Sequence, residues 1–297
     1  MLKSETIGLF CTGANALTKQ EPQSVQTYLQ QHYQLKAIYQ TDTYRILPAK
    51  ERAEIFLEYL LDPKISILWA LRGGEGTADT IPFIHKHSKK IKTLAPKPLI
   101  GFSDITPLLI YFNQIYQWPT IHGPGAIQTI KHHISAANLK IIFNCLLGKQ
   151  KKVILSHLNP LNSLALESKL IKGNLIGGNL SLLNISIGDL WEIETKNKII
   201  IIEEVNEKPH VVRRTLHYLQ RLGKFDDANA ILFGDFSYPA EPKLQPAIQK
   251  VLRHFAEECS IPVLKTHLFG HGKYNLPLQF SKKSILDLTT LTLINYW

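Results

Sequence analysis

The chain has 297 residues, of which 44% are hydrophobic and 20% are charged, and its net charge at pH 7 is +10. This composition excludes wholesale disorder and provides enough apolar side chains for one large or two medium domains. The lysines are scattered, and the small clusters at 86–92 and 149–152 do not alternate with aromatic residues. We therefore predict a globular protein with a solvated basic surface that binds neither nucleic acid nor membrane.

The cysteines and the N-terminus predict where the protein resides. The three cysteines, Cys11, Cys145 and Cys259, are odd in number and far apart, which is typical of a reducing compartment rather than of a disulfide framework. The first ten residues contain too short an apolar run for a secretory signal. These two features predict a cytoplasmic protein.

Apolar segments alternate with helix-like segments along the first half of the chain. Strands are predicted at 7–11, 35–39, 65–71 and 99–100, and helices at 25–31, 49–61, 107–112 and 131–150. Such alternation is typical of a doubly wound, mostly parallel sheet. We predict an N-terminal α/β domain over residues 1–148 and a polar linker at 149–165.

The second half differs in its pattern. The β-branched run at 198–202 predicts a fully buried strand, and 230–236 predicts another. Helices are predicted at 212–222 and 246–258, and Gly177 and Gly178 predict a turn. We predict a smaller, β-rich C-terminal α/β domain over residues 166–297.

Ser103 stands between a strand-like run that ends at Gly101 and a helix-like segment. This order resembles a nucleophile elbow, in which a tight turn exposes the hydroxyl and the following helix directs backbone N–H groups toward it. The alternative is that Ser103 or Asp104 only caps the helix.

A glycine-rich segment, Arg72-Gly-Gly-Glu-Gly76, follows the strand predicted at 65–71. Open α/β sheets place their ligand sites at the carboxyl ends of strands, and Gly73 and Gly74 allow the backbone to approach a substrate closely. No Gly-Lys-Ser/Thr follows, which excludes a phosphate loop, and an ordinary turn is the alternative.

Two acids follow the buried strand at once. Alternation along residues 199–204 places Glu203 and Glu204 on opposite faces, so only one of them can belong to a given site. The alternative is that both are solvated loop charges.

Histidines occur at two glycine-rich turns. His122 ends a short predicted strand, where a structural role is the more common one. His267 and His271 are spaced four apart like a metal-binding pair, but glycines at 270 and 272 interrupt a helix and no third ligand is evident. We predict no metal site.

Seven motifs of this chain resemble motifs that occur in the same order in the serine L,D-carboxypeptidases. This family includes murein tetrapeptide carboxypeptidases and microcin-immunity peptidases. The resemblance covers nearly the whole chain. The motifs are Trp69-Ala-Leu-Arg-Gly-Gly74, Pro98-Leu-Ile-Gly-Phe-Ser-Asp-Ile-Thr106, Ile121-His-Gly-Pro124, Gly177-Gly-Asn-Leu-Ser-Leu-Leu183, the isoleucine-rich strand into Glu203, Gly234-Asp-Phe236, and Gly270-His271 with Leu276-Pro-Leu278.

The resemblance implies a catalytic triad, which falls on Ser103, Glu203 and His271. It also implies release of a terminal D-alanine from a muropeptide in peptidoglycan recycling, by a homodimer that needs no metal and no cofactor. The oxyanion donors expected in this chain are the backbone N–H groups of Asp104 and of Gly73 or Gly74. Arg72 is expected to bind a substrate carboxylate, with a structural role in the turn as the alternative.

Two departures from the family pattern leave the substrate open. Glu75 stands where the family often has tyrosine, and His210-Val-Val-Arg-Arg214 replaces a Tyr-Arg-Ile-Asp-Arg pattern. A different amide, as in microcin immunity, is therefore the second hypothesis. A non-catalytic peptide-binding protein is the third, and the intact triad argues against it.

Overall fold

The computed structural model describes residues 6–14, 18, 20–40, 47–131 and 134–297. The chain divides into two compact units, Met1–Gln150 and Lys151–Trp297. Both units contain a sheet with helices, which confirms the predicted α/β class.

The first unit is built on a parallel sheet. Its strands follow the order β5-β4-β3-β1-β2, and every neighbouring pair runs parallel, as the alternating pattern predicts. The strands are β1 (Thr6–Phe10), β2 (Lys36–Ile38), β3 (Ile65–Ala70), β4 (Leu99–Gly101) and β5 (Thr120–His122).

The helices of the first unit lie between these strands in the chain, except the last, which follows β5. They are α1 (Gln20–Tyr33), α2 (Ala49–Leu61), α3 (Ile81–His85), α4 (Ser88–Ile91), α5 (Thr106–Tyr116) and α6 (Ala136–Leu146). Helix α6 is shorter than the predicted 131–150. The Ser135 side chain caps its first turn by accepting from the Asn138 N–H, which fixes the start of the helix.

The second unit contains an eight-stranded mixed sheet in the order β6-β14-β13-β8-β9-β10-β11-β7. The four strands β8 to β11 are parallel, and the flanking strands pair antiparallel. The strands are β6 (Lys152–Leu155), β7 (Asn159–Pro160), β8 (Leu170–Asn179), β9 (Lys198–Val205), β10 (Ala230–Ser237), β11 (Val263–Lys265), β13 (Lys283–Asp287) and β14 (Thr292–Tyr296). The short strand β12 (Leu278–Gln279) precedes β13 in the chain and is not part of this sheet.

Strand β9 is central in this sheet, and residues 199–202 are fully buried, as the β-branched run predicts. The helices of the unit are α7 (Leu180–Ile185), α8 (Pro209–Arg221) and α9 (Gln245–Glu257). Those at 209–221 and 245–257 agree with the predicted segments to within a few residues.

Two predictions about the second half differ from the structure. The segment 149–165, predicted as a linker, contributes β6 and β7 to the second sheet. Gly177 and Gly178 continue β8 instead of forming a turn. Gly177 has a φ of 133°, and a Cβ atom there would collide with the Ile201 carbonyl oxygen, so only glycine fits this extended conformation.

All three cysteines are buried, and none forms a disulfide. Burial raises the pKa of Cys11 to about 11 and those of Cys145 and Cys259 to about 12. Among the described residues, no helix combines the length and the apolar character needed to cross a membrane.

Candidate active site

Ser103 lies in a strained turn between β4 and α5. Its φ is 58°, in the left-handed region that a serine rarely adopts. The turn is tight because Gly101 packs against Ile105, where an added Cβ would lie 2.7 Å from Ile105 Cγ2. The Thr106 hydroxyl donates to the Ser103 carbonyl oxygen at 2.7 Å. This strand-turn-helix geometry is the one predicted for a nucleophile elbow.

Helix capping does not explain the position of the Asp104 side chain. The 3-10 turn Ser103–Ile105 and helix α5 both begin without a side-chain cap hydrogen bond. The Asp104 carboxylate instead accepts from Thr77, 27 positions earlier in the chain. The capping alternative is therefore wrong for the Asp104 side chain.

The glycine loop that follows β3 lies against this turn. A Cβ atom on Gly73 would be 3.0 Å from Ser103 Cβ, 3.1 Å from Ser103 Oγ and 3.3 Å from the Asp104 backbone nitrogen. Gly73 therefore permits the loop backbone to approach the hydroxyl and the Asp104 N–H. Gly74 is exposed and has a φ of 149°, and Arg72 is half-buried.

Asp104 is buried beneath the loop. Its Oδ2 accepts from the Thr77 hydroxyl at 2.7 Å and from the Thr77 backbone N–H at 3.2 Å. Burial raises the pKa of Asp104 from 3.8 to about 6, and the Asp79 charge adds to the rise. The Thr77 hydrogen bonds and the Arg52 guanidinium oppose it.

In the second unit, Glu203 and His271 form a hydrogen-bonded pair. Nδ1 of His271 lies 2.6 Å from Oε2 of Glu203. The Glu203 side chain is completely buried, whereas that of His271 is 20% exposed. Burial lowers the pKa of His271, but the charge and hydrogen bond of Glu203, with smaller contributions from Glu204 and Asp235, raise it above its usual 6.5.

A second glycine allows the histidine loop to approach β9 and β10. Gly270 has a φ of 113°, and an added Cβ would lie 3.1 Å from the Cβ atoms of both Glu203 and Asp235. The Gly270 N–H donates to Asn275 Oδ1 at 3.2 Å. These contacts place His271, the next residue, beside Glu203.

Glu204 has a separate set of partners on the opposite face of β9. Its carboxylate accepts from Asn179 Nδ2 at 2.9 Å and from the Ser181 hydroxyl and backbone N–H at 2.7 and 2.9 Å. It therefore ties the strand to the start of α7. The sequence alone does not decide whether Glu203 or Glu204 orients the histidine. In the structure, Glu203 makes the contact with His271.

The structure brings the sequence-predicted residues together in two groups. Arg72, Gly73, Gly74, Ser103 and Asp104 lie at the carboxyl ends of β3 and β4 in the first unit. The pair Glu203 and His271 belongs to the second unit.

The other histidine candidates lie elsewhere. His122 is fully buried, with its ring edge-to-face against Phe102 at 6.1 Å between centroids. His267 packs near Tyr274 at 5.9 Å. In the described part of the chain, no three His, Cys, Asp or Glu side chains are grouped so as to hold a metal ion.

Several polar residues that support these groups escape sequence reasoning. Thr12, Arg52 and Thr77 surround Asp104, and Asn275 holds Gly270. Thr12, Arg52 and Thr77 have partners tens of positions away in the chain. Asn275 stands only five residues after Gly270 and directly before Leu276-Pro-Leu278. Asn275 is the one residue of this set that a local signal could have found.

Comparison with known proteins shows similarity in both halves of the chain. A family model described as the LD-carboxypeptidase N-terminal domain matches residues 7–123, and one described as the C-terminal domain matches residues 172–286. The fold and these matches define a carboxypeptidase, a hydrolase of peptide bonds. The chain belongs to the LD-carboxypeptidase family.

Individual relatives extend this result. A Rickettsia conorii protein provisionally named a carboxypeptidase is 40% identical over 76% of this chain and 69% of its own length. The murein tetrapeptide carboxypeptidase of Pseudomonas aeruginosa is 28% identical over 76% of this chain and 73% of its own.

The microcin C7 self-immunity protein MccF of Escherichia coli is 27% identical over 83% of this chain and 78% of its own. A solved structure of MccF in complex with glutamyl sulfamoyl guanosine has a TM-score of 0.84 and 23% identity, and covers 100% of this chain and 97% of that one.

Proposed function

We propose that this chain is a serine L,D-carboxypeptidase that releases the terminal D-alanine of murein tetrapeptide during cell-wall recycling in the cytoplasm, as a homodimer. The observation that carries the proposal is the 2.6 Å contact between His271 Nδ1 and the buried Glu203 carboxylate. In a catalytic triad, a buried acid holds the histidine by one ring nitrogen in this way, which supports the proposal. Similarity to the Pseudomonas aeruginosa enzyme supports the choice of substrate.

In this proposal His271 is the general base. An ionised carboxylate can only accept, so Nδ1 carries the proton toward Glu203 and the lone pair lies on Nε2. Nε2 takes the proton of the Ser103 hydroxyl and later gives it to the departing amine. Glu203 stabilises the imidazolium that forms between these two steps, which agrees with the raised pKa of His271.

Ser103 Oγ attacks the carbonyl carbon at the L-centre of the diamino acid. The tetrahedral intermediate collapses, the C–N bond breaks, and D-alanine leaves with the proton from His271. Water, deprotonated by His271, then attacks the acyl-serine ester, and His271 gives this proton to the Ser103 oxygen as the ester bond breaks. No metal or cofactor takes part in this proposed sequence.

The negative oxygen of the intermediate needs hydrogen-bond donors. We assign these to the backbone N–H groups of Asp104 and of Gly73 or Gly74, each worth about 3 kcal/mol in such sites. The close approach of Gly73 to the Asp104 nitrogen supports this assignment. We assign Arg72, which precedes the two glycines, to a substrate carboxylate.

Cleavage of an amide in an acylated sulfamoyl nucleoside is the second candidate. Glu75 is exposed in the glycine loop, where the family often has tyrosine, so the substrate pocket of this chain differs from the common pattern. Similarity to MccF, whose solved complex contains glutamyl sulfamoyl guanosine, supports this candidate.

The test is mass spectrometry of L-Ala-γ-D-Glu-diaminopimelate-D-Ala after incubation with the protein, in the presence of a chelator. We expect the loss of one D-alanine from the wild type. Ser103→Ala should abolish this loss, and the matched control Ser24→Ala, at an exposed position on α1, should leave it unchanged.

A parallel incubation with glutamyl sulfamoyl guanosine separates the two candidates. Release of glutamate together with an intact tetrapeptide would favour the second candidate over the first. If both compounds stay intact and a fluorophosphonate probe does not label Ser103, the serine mechanism itself is wrong.

A further inference from the structure

The Asp104 side chain connects two loops of the proposed active site. Asp104 directly follows the proposed nucleophile, and its Oδ2 accepts two hydrogen bonds from Thr77, one residue after the Arg72-Gly-Gly-Glu-Gly76 loop. The Thr77 hydroxyl also lies 3.0 Å from the Thr12 hydroxyl, which follows β1. Three loops at the carboxyl ends of parallel strands therefore meet at one buried oxygen network.

Arg52 provides a second attachment for the glycine loop, Arg72–Gly76. Its side chain, which is buried in α2, donates to the carbonyl oxygens of Thr12 and Gly76. Thr77 and Thr12 are both fully buried. The C-terminal end of the glycine loop is thus held at two consecutive residues, Gly76 and Thr77. Its N-terminal end continues from β3.

The position of Gly73 depends on these attachments. Gly73 lies four residues before Thr77, and a Cβ atom added there would lie 3.0 Å from Ser103 Cβ and 3.3 Å from the Asp104 nitrogen. Two donors stabilise an oxyanion only when both are about 3 Å from the same point. A shift of one loop against the other would separate them.

Resting on the function proposed above, we propose that Asp104 and Thr77 are positioning residues: their side-chain hydrogen bond holds the glycine loop against the Ser103 turn and so aligns the two oxyanion donors. Neither side chain touches the substrate. Their effect reaches the chemistry through the spacing of two backbone segments.

Loss of the hydrogen bond between Asp104 and Thr77 should weaken the binding of the transition state more than that of the substrate. A misplacement of about 1 Å in a preorganised site costs up to about a hundredfold in rate. Substrate binding relies on other contacts, so KM should change little. If the hydrogen bond were only structural, its removal would lower the stability of the protein and would not lower kcat selectively at an unchanged KM.

The experiment compares Thr77→Val, which replaces the hydroxyl by a methyl group of similar volume, with Thr77→Ser, which keeps the hydroxyl. Thr129→Val is the matched control, because the Thr129 side chain is also buried and its hydroxyl donates to the Ala126 carbonyl within its own turn. Two quantities are measured: kcat and KM on the murein tetrapeptide, and the second-order rate of Ser103 labelling by a fluorophosphonate, whose tetrahedral phosphorus places a polarised phosphoryl oxygen at the same donors.

We expect Thr77→Val to lower both kcat and the labelling rate by about tenfold or more with KM within about twofold of wild type. Thr77→Ser should restore both rates, and Thr129→Val should leave them unchanged. Equal losses in Thr77→Val and Thr129→Val, or no loss in Thr77→Val, would overturn the inference. If Thr77→Val does not fold, Asp104→Leu, whose side chain is of similar size but accepts no hydrogen bond, is measured in its place, with the same loss expected and the same results counting against the inference.

The labelling rate separates this inference from the proposed function. If the wild type is labelled but does not cleave the tetrapeptide, the proposed substrate is wrong and the labelling rates of the variants still decide the role of Thr77. If the wild type is not labelled at Ser103, the proposed nucleophile is wrong and the inference fails with it.

Discussion

The imidazole of His271 and the carboxylate of Glu203 are joined by a 2.6 Å hydrogen bond, although 68 positions separate the two residues in the chain. Glu203 supplies this contact from the buried part of β9, and its other oxygen, Oε1, has no hydrogen-bond partner among the described residues. An unshared buried charge interacts strongly with its one cationic partner. This relationship sets the pH range in which His271 can act as a base.

We predict that kcat/KM rises with pH through a midpoint above 6.5. The raised pKa of His271 means that the imidazole stays protonated to higher pH, and the protonated ring cannot accept the Ser103 proton. In Glu203→Gln the stabilising charge is lost, so the midpoint should move to lower pH and the rate should fall by about 10³ to 10⁴. A pH–rate profile of both proteins checks this, and an unchanged midpoint would contradict the assigned role of Glu203.

Glu204→Gln should reduce the stability of the protein more than its catalytic rate. Glu204 accepts hydrogen bonds from Asn179 and Ser181, so an amide there loses part of this network and should reduce the free energy of unfolding by about 1–3 kcal/mol. The value of kcat should stay within a few-fold of wild type, because Glu203 is the acid that accepts the hydrogen bond of His271 Nδ1. Urea unfolding and steady-state kinetics of the two glutamine variants together make the comparison.

Ser103→Gly should be more stable than Ser103→Ala by about 1 kcal/mol. Residue 103 has a φ of 58°, where alanine keeps the steric cost of a Cβ atom and glycine does not. Both variants should be inactive. Thermal unfolding measures the difference, and a more stable alanine variant would show that the turn relaxes to a negative φ when the hydroxyl is removed.

The Asp104 carboxyl should make stability depend on pH. Its folded pKa of about 6 lies above the ordinary 3.8, so the folded state retains a proton that the unfolded chain loses. The resulting stabilisation is complete below about pH 3.8 and is lost as the pH rises through about 6. Its full size is up to about 3 kcal/mol, from about 1.4 kcal/mol for each pKa unit.

The comparison with Asp104→Asn isolates this effect from that of other acids. As the pH rises from 4 to 7.5, the free energy of unfolding of the wild type should fall relative to that of the variant. Urea unfolding at four pH values in this range measures the difference. A difference that is constant with pH would mean that Asp104 titrates alike in the folded and unfolded states.

The sequence predicts the elements of this fold well where the signal is local. Helix α2 occupies the predicted residues, 49–61, because its apolar residues recur at helical spacing and Asp62-Pro63 ends it. The turn at Ser103 was predictable for the same reason, since strand, glycine, serine and helix follow one another directly.

Long-range contacts account for what the sequence does not predict. Gly177 and Gly178 suggest a turn until the carbonyl of Ile201 is placed beside them, which requires the pairing of β8 with β9. The bond between Asp104 and Thr77 likewise depends on two strands being neighbours. The segment 149–165 is polar enough to resemble a linker, but its strands pair with partners more than a hundred positions later.

The three buried cysteines have a practical consequence. At neutral pH a thiol with a pKa of about 11 or 12 is almost entirely protonated and reacts slowly with alkylating reagents. A cysteine introduced at an exposed position such as Ser24 would therefore be modified by a maleimide dye well before the native thiols. The wild-type sequence can thus serve, without prior removal of its own cysteines, as the background for site-specific fluorescent labelling.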